Sequence, residues 1–305
     1  YHFKNIPWEN IMISGHVLDP KGESMHKSKG NVVNPKEVLD KYPVDALRFW
    51  AAGSKLGDDL RYLEKDLQTG AKTANKLWNA SKFSLQHLED FNVKKFKGKL
   101  ELMDQWILAK LNNVIVESTS GFEDYEYSRA KSAVENFFWH DFCDNYLEII
   151  KDRIYNSARS AEEKQSAQYT LYVSLLSILK LFAPIMPHIT EEIYQMFYLG
   201  KEKEILDNSK NSRDAKDKSL SKSIHLSKWP VKFKVKNEKK LIELGDKFVE
   251  VLTLVRREKS KAAKSLKEPV KNLTCYKELE DVIEDLKAVT KAESILFANN
   301  VKVGL

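Results

Sequence analysis

The residues best suited to chemistry lie in a short polar segment near the start of the chain, 22–33, which reads GESMHKSKGNVV. It follows a strong turn signal, Asp-Pro-Lys-Gly, at the end of a partly β-branched apolar stretch. Lys27 and Lys29 flank Ser28, and Gly30 supplies a permissive backbone. Lysines beside exposed backbone donors suit a phosphate chain, so the segment is a candidate phosphate-binding loop. An ordinary lysine-bearing loop would have the same composition.

A second group of candidate ligands comprises His140, Asp141, Cys143 and Asp144. On a helix, His140 and Asp144 share one face while Cys143 borders the core. No second cysteine or histidine is close in sequence, so we expect a structural role and no metal site. The two cysteines of the chain, Cys143 and Cys275, are also too few for a disulfide framework.

The net charge of +6 is concentrated in two parts of the chain. Thirteen basic and six acidic residues lie between 201 and 240, and seven basic and two acidic residues between 256 and 271. Localised positive charge of this kind favours a polyanionic partner, although two solvated faces would look the same. Within the first part, 207–223 is almost free of apolar residues, which predicts a mobile loop.

Composition excludes several classes of protein. Eleven glycines and eight prolines are too few for a disordered or collagen-like chain of 305 residues. The longest apolar stretch, 171–189, is too interrupted by polar residues and prolines to span ~30 Å of hydrocarbon. The first seven residues lack the charged and apolar parts of a signal peptide. Because the chain begins with Tyr1, we expect a piece of a longer, cytoplasmic protein.

The predicted secondary structure is mixed around the loop and purely helical in the part of the chain that follows. Residues 11–18 predict a strand, and 36–41 and 44–53 predict short helices. From about 63 to 199 the period is helical throughout, which predicts an antiparallel bundle. The predicted bundle helices are 66–88, 103–117, 128–155, 166–183 and one starting at Thr190, with Met196 among the residues expected to face inward.

The last part of the chain predicts a small α/β unit. A basic amphipathic helix is expected over 238–264, a strand over 270–276, a helix over 277–287 and a strand over 294–298. We therefore divide the chain into four parts. These are a mixed α/β region (1–62), a helical bundle (63–200), a basic and partly flexible linker (201–236) and a small α/β domain (237–305).

Residues 24–33 resemble the K-M-S-K-S signature loop of class I aminoacyl-tRNA synthetases, with its typical continuation K-G-N-V-V. Other runs resemble the same family: DALRFWAA (45–52), LGDDLRY (56–62), NKLWNAS (75–81), FWHDFCDNYLE (138–148) and APIMPHITEEIY (183–194). The last two are similar to the anticodon-binding bundle shared by the valine, isoleucine and leucine enzymes. The pattern W-A-A-x-x-x-L-G-x-D-L-R favours valine, with the isoleucyl and leucyl enzymes as alternatives.

The resemblance, which covers about residues 1–275, implies a fold and a reaction. The fold is mainly α: the end of a Rossmann-type catalytic domain, the anticodon-binding bundle and an α/β tail. The complete protein would be an ATP-dependent ligase that uses ATP with Mg²⁺ to form valyl-adenylate and then charges tRNA for valine. Lys27 would be the catalytic residue that stabilises phosphate charge. The remaining ATP-binding residues would be Met25, which anchors the loop by packing, with His26, Ser28, Lys29 and Gly30.

This sequence departs from the family pattern at two positions of the loop. Ser24 stands where the family has its first lysine, and His26 stands where it has serine. The loop thereby loses one cation, for which Lys21 or Lys29 is a possible substitute. The family's other ATP signature, H-I-G-H, is absent, so we expect the chain alone to be inactive. A non-catalytic RNA-binding module derived from a synthetase, and a helical scaffold without an RNA partner, are the alternatives.

Several residues are candidate tRNA contacts. Trp139 would stack on an anticodon base if it is exposed rather than buried. Lys151 and Arg153, at a helix C-terminus, would contact the anticodon backbone, although basic residues are favoured at any such end. The remaining candidates are Lys72 and Lys76 for the inside of the tRNA, and Arg256, Arg257 and Lys259 for sequence-independent phosphate contacts. We expect a monomer.

Overall fold

The computed structural model describes residues 4–199 and 222–305. Its first part holds two strands and two helices: β1 (Val17–Leu18), α1 (Pro35–Leu39), α2 (Val44–Ala51) and β2 (Leu60–Arg61). The strands pair in parallel, with Val17 opposite Leu60. The predicted strand over 11–18 is wrong for most of its length. Within the described residues, β2 pairs only with 17–18, so the strand does not extend back to residue 11. Ile11 and Ile13 lie outside the strand and are each 70% exposed.

An antiparallel helical bundle follows, as the 3.6-residue period predicts. Its helices are α3 (Glu64–Gln86), α4 (Leu102–Glu123), α5 (Tyr127–Asn136), α6 (Leu147–Ile149), α7 (Lys151–Tyr155), α8 (Ala161–Phe182) and α9 (Pro187–Ile193). The stretch Phe137–Tyr146 joins α5 to α6 with π-helical geometry, and Tyr194–Tyr198 extends α9 in the same way. No helix in the described residues is long and apolar enough to cross a membrane.

Local signals decide where the central helix, α8, begins and ends. It begins earlier than predicted because Ser160 and Glu163 form a capping box that satisfies the first backbone amides. Its side chains are buried almost all round, as expected for the middle of a bundle. Pro187, at the first helical position of α9, fixes the corner between the two helices.

The tail consists of α10 (Glu238–Lys261), β3 (Val270–Cys275), α11 (Ile283–Thr290), β4 (Ala292–Phe297) and β5 (Lys302–Gly304). The sheet order is β4-β3-β5, with β4 parallel and β5 antiparallel to β3. Helix α10 crosses α4 at Gly245, where an added Cβ would lie 2.0 Å from a ring carbon of Trp106. Only glycine therefore permits this close approach.

Part of the predicted linker is ordered against the bundle. Asn112 exchanges two hydrogen bonds with the backbone of Phe233, at 2.7 and 2.9 Å. The indole of Trp229 donates to the hydroxyl of Thr119 at 2.9 Å. These contacts hold the chain between 224 and 235 on α4. Most of the segment predicted to be mobile, 207–223, lies outside the described residues.

A buried ion network joins the bundle to the tail. Arg153 donates to both oxygens of Asp104, at 2.7 and 3.0 Å, and its Nε lies 3.3 Å from Asp285 on α11. Tyr146 and Ser166 also donate to Asp104. Burial disfavours a charge on Arg153, but Asp104 and Asp285 outweigh that effect and raise its pKa.

Asp285 has the most perturbed carboxyl in this network. Burial raises its pKa to about 6, although Arg153 and Arg159 oppose the shift, and the negative charge of Asp104 adds to it. An unfolded aspartate has a pKa of about 3.9, so between about pH 4 and 6 the folded state holds a proton that the unfolded state has lost. The stabilisation from this group is therefore complete below pH 4 and is lost as the pH rises through 6.

We predict that Asp285→Asn removes this part of the pH dependence. The difference in unfolding free energy between wild type and the variant should fall by about 2 kcal/mol from pH 4 to pH 7, because a shift of about two pKa units corresponds to nearly 3 kcal/mol and the unfolded carboxyl is already about half ionised at pH 4. Urea titrations at several pH values measure it. The matched control is Asp281→Asn, at an exposed position nearby. A difference that stays constant with pH would contradict the assignment.

Candidate nucleotide and RNA-binding surfaces

The loop that carries Lys27 is held by two side chains, Asp19 and Asn31. Asp19 Oδ1 accepts from the backbone amides of Lys21 and Glu23, at 2.9 and 2.8 Å. Its Oδ2 accepts from the Asn31 amide at 2.9 Å. Asn31 Oδ1 in turn accepts from the backbone amide of His26, also at 2.9 Å. The two ends of the loop are thus fixed to each other.

The charge on Asp19 follows from these bonds. The hydrogen bond from the Glu23 backbone, followed by that from Asn31, lowers the pKa of Asp19, so the carboxylate stays ionised. Sequence reasoning missed both residues. Signals were available: Asp19 opens the Asp-Pro-Lys-Gly turn, a position that aspartate favours, and Asn31 directly follows the glycine that ends the loop.

The expected phosphate-binding residues lie together in this loop. Lys27, Ser28 and Lys29 form one 3₁₀ turn that ends at Gly30, whose φ of +67° is favoured by glycine. All three side chains of that turn are exposed, and Lys29 lies 3.9 Å from Glu23. Lys27 has no ion pair or hydrogen-bonded side-chain partner within the described residues, so its ammonium is available to a ligand.

Met25 is the one half-buried side chain among the six residues assigned to ATP. Its Sδ accepts from the backbone amide of Val33 at 3.5 Å. His26 is exposed and precedes the 3₁₀ turn in an extended conformation. The arrangement presents two lysine side chains, a hydroxyl and an imidazole on one exposed turn, which suits binding of a polyphosphate.

Helix α2 connects this loop region to the bundle through a pair of charged residues. Asp45 is buried and accepts from the backbone amides of His188 and Ile189, at the N-terminus of α9. Arg48, one turn later, donates to the carbonyls of Pro184 and Ile185, just after α8 ends. Each charge therefore matches the helix end that it meets. We call this pair the α2 clamp.

The structure corrects two of the predicted tRNA contacts. Arg153 is 1% exposed and bound to Asp104, so it has no surface to offer to RNA. Lys259 is also 1% exposed, and its ammonium donates to the carbonyls of Leu266, Glu268 and Thr290. Both residues lie on helices that carry other basic residues, which is why the sequence suggested a basic surface. The guanidinium of Arg153 and the ammonium of Lys259 instead donate to buried acceptors and do not face solvent.

Other predicted contacts are already engaged within the protein. Trp139 is half-buried, and its indole donates to Thr73 at 3.3 Å. The ammonium of Lys76 lies 4.0 Å from the centre of that ring and 2.8 Å from Asp144, so one face of the ring is covered. Arg256 donates to Asn145 and to the Asp144 carbonyl, which joins α10 to the π-helical stretch.

Three predicted contacts stay accessible. Lys72 is exposed on α3, and Arg257 is exposed on α10 beside Glu258. Lys151 is partly exposed and pairs with Glu148 at 2.6 Å. Their contact with RNA stays a prediction.

Three side chains of the His140 cluster have partners within the protein. His140 lies 3.4 Å from Asp144, whereas Asp141 pairs with Lys110. Burial raises the pKa of the Cys143 thiol to about 12. No group of three potential ligands close enough to hold a metal ion occurs among the residues that the structure describes.

An apolar groove between α3 and the π-helical end of α9 is a surface that sequence reasoning missed. It has a volume of about 580 Å³. Its apolar lining is Trp78, Leu85, Ile193, Met196 and Phe197, and its polar lining is Ser81, Lys82, Gln86 and Glu89. The expectation that Met196 faces inward is wrong, because its side chain is 63% exposed, and Trp78 is 37% exposed on the opposite wall. We call this surface the α3–α9 groove.

Comparison with known proteins agrees with these features. The family model for the anticodon-binding domain of tRNA ligase matches residues 104–274, and that for class I tRNA synthetases (I, L, M and V) matches residues 2–63. The chain belongs to the anticodon-binding domain family of tRNA ligases. The family resemblance inferred from the sequence is confirmed.

Within this family the chain is similar to valine–tRNA ligases. It is 40% identical to that of Wolbachia sp. subsp. Brugia malayi over 311 residues, which cover 100% of this chain and 34% of the relative. It is 40% identical to that of Ehrlichia canis over 302 residues, 98% of this chain and 35% of the relative. The chain thus spans about a third of the length of these relatives.

A solved structure with a similar fold supports the helical architecture. It is the ternary complex of Agrobacterium radiobacter K84 LeuRS with tRNA and LeuAMS, with a TM-score of 0.51. The match covers 75% of this chain and 24% of that chain, at 18% identity.

The hydrogen bonds of Asp19 and Asn31 are expected to keep the loop that carries Lys27 rigid, and a substitution tests this. Asn31→Ala removes the acceptor of the His26 amide, and loss of one such hydrogen bond costs about 1 kcal/mol. We expect amide hydrogen exchange at His26 to accelerate about fivefold to tenfold. The control is Ser28→Ala, an exposed position in the same loop. Unchanged exchange at His26 in the Asn31 variant would show that the loop is held in another way.

Proposed function

We propose that this chain is the part of a valine–tRNA ligase that closes over ATP at one end and recognises the tRNA anticodon at the other. The observation that carries the proposal is the placement of two surfaces along α3. This helix begins beside α2, near the loop that carries Lys27. Its second half lines the α3–α9 groove. Fourteen residues separate Glu64 from Trp78, about 21 Å of helix. One elongated RNA can therefore contact both regions.

The loop supplies the electrostatic part of the proposed reaction. A carboxylate oxygen of valine attacks the α-phosphorus of ATP, forming valyl-adenylate and releasing pyrophosphate. Negative charge builds on the leaving phosphates, and Lys27 is placed to stabilise it together with the Ser28 hydroxyl and the Gly30 amide. Magnesium enters with ATP as part of the substrate. The valyl group then moves to the terminal ribose of the tRNA.

Replacement of Lys27 tests this role in the complete enzyme. Lys27→Ala should slow valine-dependent pyrophosphate exchange by about 10²- to 10³-fold, the usual effect of losing one transition-state contact. Valine binding should hardly change, because the lysine faces phosphate. Lys36→Ala, on the exposed side of α1, is the charge-matched control. Exchange at the wild-type rate in the Lys27 variant would exclude the assignment.

The α3–α9 groove supplies the proposed anticodon-binding surface. Bases of an unpaired RNA loop bind proteins by stacking on aromatic side chains and by hydrogen bonds to their edges. Trp78 and Met196 present exposed apolar surface, while Lys82 and Gln86 provide polar groups at the same groove. A groove of about 580 Å³ has room for one or two bases. The support from the comparisons is the family match to an anticodon-binding domain.

Removal of the Trp78 ring tests the groove directly. Trp78→Ala should weaken binding of an RNA stem-loop with a valine anticodon about 5- to 150-fold, since stacking contributes about 1–3 kcal/mol per base. Val116→Ala, which removes exposed apolar surface from α4, is the control. Fluorescence anisotropy with labelled stem-loops measures both. Equal binding of valine and unrelated anticodons by the wild-type chain would exclude anticodon recognition.

A further inference from the structure

A short loop after α3 is rich in lysine, a feature that the charge analysis did not single out. The segment 93–99 begins with a 3₁₀ turn, Val93–Lys95, and leaves Lys95, Lys97 and Lys99 exposed. Within the described residues, none of these three side chains has an ion pair or a hydrogen bond. Of the two carboxylates that flank the segment, Asp90 is paired with Lys164 at 2.9 Å, and Glu101 forms no ion pair with these lysines in the described part of the chain. We call this segment the lysine loop.

The lysine loop is anchored by the residues that alternate with its lysines. Phe96 stacks on Tyr169 with ring centres 4.7 Å apart and an interplanar angle of 20°. Val93 is buried, and Phe96 also lies 6.5 Å from Phe91. The backbone is therefore fixed while the lysine side chains point outward. Positive charge held on a fixed backbone loses less entropy on binding than charge on a free tail.

A series of aromatic contacts links the lysine loop to the α3–α9 groove. Phe91 lies 6.4 Å from Tyr172, and Tyr172 lies 6.2 Å from Phe197, measured between ring centres. Phe197 lines the groove. The loop also directly follows the end of α3, which lines the groove with Leu85 and Gln86. Glu89 also lines the groove, and the next residue, Asp90, lines a second cavity together with Lys95. The lysine loop therefore lies close to the end of the groove that is formed by the C-terminus of α3.

We infer that the lysine loop binds the phosphates of the RNA strand whose bases enter the α3–α9 groove. The apolar groove favours unpaired bases, and lysine ammonium groups favour phosphate without regard to sequence. An acidic protein or an anionic membrane would also be attracted by the lysines, but the family match to an anticodon-binding domain favours RNA. The inference rests on the proposed function for the identity of the RNA, an anticodon stem-loop.

The test is a salt titration of binding to a labelled anticodon stem-loop. The triple variant Lys95→Gln, Lys97→Gln, Lys99→Gln should reduce the slope of log K against log salt by about 2, because each contact with single-stranded RNA contributes about 0.7. Affinity at 0.1 M salt should fall about 100-fold, the result of that slope change. The ratio of affinities for valine and unrelated anticodons should stay the same, since phosphate contacts do not specify bases.

Two further triple variants serve as controls. Arginine at the same three positions should restore the slope, because the charge is kept. Glutamine at Lys271, Lys277 and Lys287, exposed positions of the tail, removes the same charge elsewhere and should change the slope by less than one. A wild-type slope in the lysine-loop variant, or a changed anticodon ratio, would overturn the inference.

The outcomes separate this inference from the proposed function. If the wild-type chain binds all stem-loops equally but the lysine-loop variant still lowers the slope, anticodon recognition fails and the phosphate contact stands. Binding to phosphatidylserine vesicles is measured in parallel. Lysine-dependent binding to vesicles, with no change in RNA affinity, would assign the loop to a membrane surface and overturn the inference.

Discussion

The buried contact between Asp104 and Arg153 is the constraint on which the relation of bundle and tail depends. Neither charge is accessible to solvent, so each must be compensated by the other and by nearby donors and acceptors. Tyr146 and Ser166 donate hydrogen bonds to Asp104, and Asp285 lies beside the guanidinium of Arg153. These three residues come from three different helical segments. The tail can therefore occupy only positions that bring Asp285 to the guanidinium. Burial of apolar surface alone would not select one such position.

The α2 clamp imposes a similar constraint at the opposite end of the bundle. One helix turn separates Asp45 from Arg48, and the two side chains meet the start of α9 and the end of α8. Gly70 adds a close contact between α3 and α2, because a Cβ there would lie 2.9 Å from Ala46. Both walls of the α3–α9 groove are thus attached to α2, which lies between the loop that carries Lys27 and the bundle in the sequence. The two proposed binding surfaces belong to one connected structure.

Much of this structure could be predicted from the sequence, because amphipathic periodicity shows which face of each helix is buried. The loop around Lys27 could be located by its resemblance to the family's signature loop, since its residue types alone do not distinguish it from an ordinary lysine-bearing loop. What could not be predicted depends on partners distant in sequence. Arg153 looks like a surface residue until Asp104 and Asp285 are placed around it. Met196 continues the apolar face of its helix in the sequence, and periodicity does not show the groove that leaves its side chain exposed.

The α2 clamp has a consequence for the design of chimeric ligases. The helical bundle looks like a transferable module, since its helices carry their own apolar core. Yet the backbone amides at the start of α9 and the carbonyls after α8 are satisfied by α2, which precedes the bundle in the chain. A bundle transplanted at the α3 boundary would leave these groups dependent on whatever the recipient supplies. A transferable unit therefore begins before Asp45.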